Sequence, residues 1–183
     1  MVEQVECGIG RSVSHAIGPS AEQRVLLGAL NRQREHVLEA VEGLASNDLR
    51  RQVLPSAWSC IGLVNHLSLD VERFWFQAVT AGNQIAIEDV LASSDNAWNV
   101  SDEEPVEEVL HRYRANIDHA DGIIASRSLD AVPAWWPDFF GTWRLDSLRE
   151  IVLHVVAETA THAGHLDAAR ELIDGKLHLV LTE

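Results

Sequence analysis

An all-α four-helix bundle is the fold this sequence predicts, and three observations carry that reading. Four long segments repeat apolar residues at alternating steps of three and four, the period of an amphipathic helix. Three capping boxes mark helix starts: Ser20 with Gln23, Ser101 with Glu104, and Ser147 with Glu150. Period-two alternation is confined to the tail KLHLVLTE at 176–183. The chain of 183 residues, 46% of them hydrophobic, is long enough for one domain with a sizeable core.

Residues 1–18 show little periodicity and read as a loose arm, leaving 19–175 for the bundle. The first helix spans about 20–45 on the seam Leu26, Leu30, Gln33, Val37, Ala40 and Leu44. The polar run Ser46-Asn47-Asp48 closes it. The second helix spans about 59–81 and stops before Gly82, placed where helix ends favour glycine. Its apolar arc holds Leu63, Val64, Leu67, Val71, Phe74, Trp75 and Ala78. His66 lies at the edge of that arc, on a strip with Ser59, Asp70, Arg73 and Gln77. Two readings stay open for it: an ordinary surface-edge histidine, or one member of a polar strip facing a pocket inside the bundle.

Residues 83–100 read as a long connection, within which Trp98 is too large to leave unpacked. The third helix, about 102–126, has the seam Val106, Leu110, Tyr113, Ile117, Ala120 and Ile124. His111 and His119 lie off it, towards solvent. Two prolines and a glycine stop 128–145 from being one helix. Its aromatics Trp135, Trp136, Phe139, Phe140 and Trp143 either cap the bundle or line a pocket mouth. The fourth helix spans about 147–174 and ends at Gly175. The tail 176–183 reads as a strand-like segment or a contact with a partner chain. Long connections after the second and third helices leave room for a topology other than simple up-down-up-down.

The chemistry concentrates in the fourth helix. Leu148, Ile151, Val155, Glu158, His162, His165, Ala169 and Leu172 follow the seam period, so a carboxylate and two imidazoles sit where apolar residues are expected. His154, Glu158, His162 and His165 fall within an arc of about 80°. Burying such groups costs several kcal/mol unless each is paired or holds a metal. Glu158 and His162 stand about 6 Å apart along the axis, a spacing that suits one ion. His154 with Glu158, or His162 with His165, are further chelating pairs, whereas His154 and His162 are too far apart to share an ion. A polar network satisfied by hydrogen bonds and water is the competing reading.

Composition narrows the partners. Twenty-eight acidic against fourteen basic residues leave a formal charge of −14, which repels nucleic acid and anionic membranes. No apolar run approaches the length of a membrane span. The N-terminus MVEQVECGIGRSVSHAIGPS lacks a basic start and an apolar core, so no secretory signal is expected and the cytoplasm is the expected compartment. Cys7 and Cys60 form no CxxC, and Cys60 reads as a small buried hydrophobe rather than a nucleophile.

Three stretches together resemble the DinB-like superfamily: REHVLEAVEGL at 34–44, PSAWSCIGLVNHLSLDVERFWF at 55–76 and SLREIVLHVVAETATHAGHLDAARELIDG at 147–175. The resemblance covers roughly 20–175 and points to a largely uncharacterised actinobacterial branch. It implies a four-helix bundle holding one divalent metal ion, zinc or nickel, on a histidine of the second helix and two residues four apart on the fourth. Carried over by position, the metal ligands are His66, Glu158 and His162. Mycothiol-dependent maleylpyruvate isomerase, of the same superfamily, also has glutamate then histidine there. That isomerase carries a further C-terminal domain where this sequence has only 176–183, so its particular reaction is not carried over. His165 and Asp167 match further elements of the block as pocket or supporting residues, with His154 one turn before Glu158. Asp70 shares the strip of His66.

The chemistry implied is that of a thiol transferase or isomerase using a low-molecular-weight thiol such as mycothiol as cosubstrate. The aromatic segment and Trp98 would wall the pocket, and Arg73 or Arg170 would hold a carboxylate of the thiol. A small-molecule substrate, no nucleic acid, no membrane and a homodimer complete the expectations. The alternative is a non-catalytic metal-binding module of stress response.

Overall fold

The computed structural model describes residues 19–92 and 96–178. The arm read over 1–18 and the end of the tail, 179–183, lie outside the described residues. Helix α1, Ala21–Val41, opens as its capping box requires. Ser20 Oγ accepts from the Gln23 amide at 3.1 Å, and the Gln23 side chain accepts from the Ser20 amide at 2.8 Å. The helix ends at Val41, short of the expected 45, because the chain turns at Gly43 with φ +76°. Ser46–Leu49 then forms a one-turn helix, α2, rather than a stop. The inner face of α1 holds Leu30, Val37 and Ala40 as expected, with Arg34 in place of Gln33.

Helix α3, Cys60–His66, is capped by Ser59, whose Oγ accepts from the Gly62 amide at 3.1 Å. It continues unbroken into Leu67–Thr80, where the bonding widens to the i→i+5 pattern of a π-helix. The Ala81 amide, for example, donates to the Phe76 carbonyl at 3.0 Å. All seven residues of the expected apolar arc are buried. Gln84–Ala92, read as connection, is a helix, α4, whose Ala86 and Ile87 pack on the π-helical stretch. With 9 residues it is too short to display a periodic face, and Asn83 starts it by accepting from the Ala86 amide at 3.0 Å.

Helix α5, Val106–Ser126, starts later than the second capping box suggests. Ser101 Oγ accepts from Glu103 in a turn, and Pro105 takes the N-cap position. Between α5 and the last helix the chain makes only one short 3₁₀ turn, Asp138–Phe140. Helix α6, Leu148–Asp174, is capped by Ser147 and ends at left-handed Gly175. Among the described residues there is no strand; Gln52 and Ser59 form an isolated bridge.

The chain is an all-α, DinB-like bundle. Helix α1 packs along α6, and the π-helical stretch packs along α5. The helix formed by α3 and its continuation also packs on α6, while α1 touches α5. Helices consecutive in the chain, α1 with α3 and α5 with α6, therefore face each other diagonally. The topology departs from simple up-down-up-down, as the long connections allowed. It brings α6 against the helix that carries His66. No helix among the described residues is long and apolar enough to cross a membrane.

Candidate metal centre

The buried seam of α6 runs through Val155, Thr159, Ala163 and Leu166. Glu158 and His162 stand one position off it and are half-buried; His165 is exposed, and so is Leu172, at 59%. The three-and-four period is met equally by Thr159-Ala163-Leu166 and by Glu158-His162-His165. Small residues fill the close contacts, and the larger polar ones wall a cleft beside them.

That cleft brings the three expected ligands together. His66 Nε2 lies 3.8 Å from Glu158 Oε1, and the rings of His66 and His162 stand edge to face at 5.1 Å. One ligand atom from each of His66, Glu158 and His162 lies within 4.8 Å of the other two. His66 comes from the last turn of α3, immediately before the helix widens, and its Nδ1 is 2.9 Å from Asp70 Oδ2. An imidazole held by a carboxylate at one nitrogen has its other nitrogen aimed. Glu158 keeps its second oxygen 3.1 Å from His154 Nε2.

The charges follow from the packing. Burial pushes the Glu158 carboxyl up, but the His154 and His66 imidazoles beside it outweigh that and hold the group down at about 2. Burial, with the neighbouring His66 charge, lowers His162 to about 4. Burial also works against the His66 cation, yet Asp70 and Glu158 prevail and raise it. At neutral pH the corner thus presents an anionic carboxylate and a neutral imidazole side by side.

The six further residues expected around the centre divide evenly. Asp70 and His154 hold His66 and Glu158 as described, and His165 Nδ1 is 3.4 Å from His162 Nδ1. Arg73 instead pairs with Asp89 of α4. Arg170 is buried against the end of α1, donating to the carbonyls of Ala40 and Glu42 and to Asp174. Asp167 lies on the opposite flank of α6, bound to His36. Neither arginine is therefore placed to hold a thiol's carboxylate.

A cleft of about 480 Å³ opens beside Glu158 and His162, lined by Phe74, Trp75, Phe140, Trp143, His154 and Thr161 among others. The aromatic segment has split: Phe140 and Trp143 line the cleft, whereas Trp135 and Trp136 are half-buried against the core and Phe139 is 63% exposed. Phe74 and Trp75, read from the sequence only as core, form the facing wall. Trp98 stacks on His66 at 4.3 Å and meets His162 edge-on at 5.5 Å. Its loop is clamped by Asn65, which donates to the Ala97 carbonyl at 2.8 Å. Cys60 is buried, and burial pushes its thiol up to about 11, so it is no nucleophile.

The family model described as Mycothiol-S-transferase matches residues 25–175, a span that includes every residue of this corner. Neither a curated protein nor a solved structure matches the chain.

Proposed function

The chain belongs to the mycothiol-S-transferase family, and on that premise we propose that it is a metal-dependent enzyme transferring mycothiol to an electrophilic small molecule. One observation carries the metal half of this reading: His66, Glu158 and His162 converge from two helices with ligand atoms within 4.8 Å. The donor set fits a divalent ion. Two imidazoles and one carboxylate suit zinc or nickel, and three protein ligands leave a position open, the pattern of catalytic rather than structural sites. Glu158 and His162 already hold the deprotonated forms that ligation needs.

A divalent ion bound there would lower the pKa of a thiol at the open position, making a thiolate nucleophile at neutral pH. The chain's own side chains do the rest. Asp70 orients His66, and His154 holds the outer oxygen of Glu158. Phe74, Trp75, Phe140 and Trp143 keep water from one side of the cleft and offer flat apolar faces to an electrophile. The transfer itself forms a carbon–sulfur bond as the electrophile's leaving group departs with its electron pair, the thiol's proton passing to solvent.

The test is conjugation of mycothiol with a chromogenic electrophile by untagged, zinc- or nickel-loaded protein. Turnover should be saturable in mycothiol and fall to background in His162→Ala, while His111→Ala leaves it unchanged. Stoichiometric metal without any thiol-dependent turnover across a panel of thiols and electrophiles would instead favour the non-catalytic binding module.

A further inference from the structure

A second cluster of ligand-type side chains sits on the far flank of α6. His36 of α1 places Nε2 2.9 Å from both carboxylate oxygens of Asp167. The ring of His178, just beyond the C-cap of α6, stacks on His36 at 3.7 Å and 17°. One ligand atom from each of His36, Asp167 and His178 lies within 4.8 Å of the other two, and all three residues are half-buried. We propose that these three residues form a second divalent-cation site, separate from the corner at His66, which ties the C-terminal segment to α1.

The donor set repeats the chemistry of the first corner, two imidazoles and one carboxylate, the set that selects zinc or nickel over calcium or magnesium. Asp167 and His162 are five residues apart on one helix, which turns them about 140° from each other. One ion therefore cannot serve both clusters. Zinc bonds of roughly 2.0–2.2 Å place ligand atoms a little over 3 Å apart, so closing this cluster asks for movements on the order of an ångström. The element free to make them is the one with fewest ties: His178 stands on non-helical backbone beyond left-handed Gly175. A net charge of −14 adds a field that draws cations to any such cluster. His178 lies outside residues 25–175, so the site draws on a side chain the family match does not include.

The sequence supplies a direct readout. Lys176 is the only lysine in the chain, two residues before His178. A lysine-specific endoprotease therefore has one bond to cut, and an ion holding His178 to α1 should protect it. Untagged protein stripped with chelator and equilibrated by dialysis against zinc chloride should take up two equivalents. His162→Ala and His178→Ala should each take up one, and the double variant none. Zinc should slow cleavage after Lys176 about tenfold in the wild-type chain and in His162→Ala, but not in His178→Ala or His36→Ala. Uptake that His178→Ala leaves unchanged, or cleavage indifferent to zinc, would overturn the proposal and leave His36 and Asp167 as a hydrogen-bonded pair between helices. Loss of metal in His178→Ala but not in His162→Ala would sink the first corner and leave this one standing.

Discussion

At the scale of single residues, the candidate centre depends on side chains outside the three expected ligands. Asp70 meets His66 Nδ1 at 2.9 Å and fixes which nitrogen faces Glu158. Asp70→Asn keeps the shape and loses the anion, and supporting partners of this kind are worth about 10–100-fold in metal affinity. Zinc affinity by competition with a chromogenic chelator should fall by about that factor, with Tm unchanged because Asp70 is largely exposed. An unaltered affinity would mean that the carboxylate does nothing for the imidazole. Glu158 and His162 were legible in the sequence because a carboxylate and an imidazole fell on an apolar period. His66 was not: helical phase alone left it at an edge, and only the resemblance chose between the two readings. Asp167 was assigned to the pocket by its place in a motif and Arg170 as a holder of the thiol's carboxylate, yet helical rotation carries both away from it.

At the scale of elements, the close approach of the Trp98 loop to α3 turns on one glycine. A Cβ on Gly62 would stand 2.2 Å from the Trp98 carbonyl oxygen, a backbone atom that cannot move without its loop. Gly62→Ala should therefore push the loop outward, strain the Asn65 clamp and loosen the stack of Trp98 on His66. The expected loss is about 1–3 kcal/mol of stability, with weaker zinc binding. Gly122→Ala is the control, since α5 leaves open space there and alanine favours a helix interior by up to about 1 kcal/mol. Denaturant titrations of the two variants moving in the same direction would refute this account of Gly62. The four main helices were legible from their seams and from the boxes at Ser20 and Ser147. Helix α4 was not, because it shows a core only Ala86 and Ile87. The π-helical widening was invisible as well, since its apolar arc satisfies the ordinary helical period.

At the scale of the whole molecule, the bundle encloses an ion pair that the seam of α1 did not anticipate. Arg34, 2% exposed, grips both oxygens of Glu72, 1% exposed, at 2.7 and 2.6 Å, and reaches Asp121 at 2.6 Å. Burial opposes the Arg34 charge, but Glu72 and Asp121 outweigh it and raise its pKa. A charge one position from a seam usually points outward, so the period of α1 gives no sign that Arg34 is buried. Removing one partner strands the other: Glu72→Leu should cost about 3–5 kcal/mol in urea unfolding, and adding Arg34→Met should recover most of it. A double variant no more stable than Glu72→Leu would show that the pair contributes more than mutual neutralisation. The diagonal placement of successive helices also has a consequence in time. His66 is made early, while Glu158 and His162 follow roughly ninety residues later. At about 5–20 residues per second, synthesis leaves that histidine without its companions for on the order of 5–20 seconds. The corner that would hold the metal is therefore among the last parts of the bundle to come into being, so loading marks a finished bundle rather than seeding one.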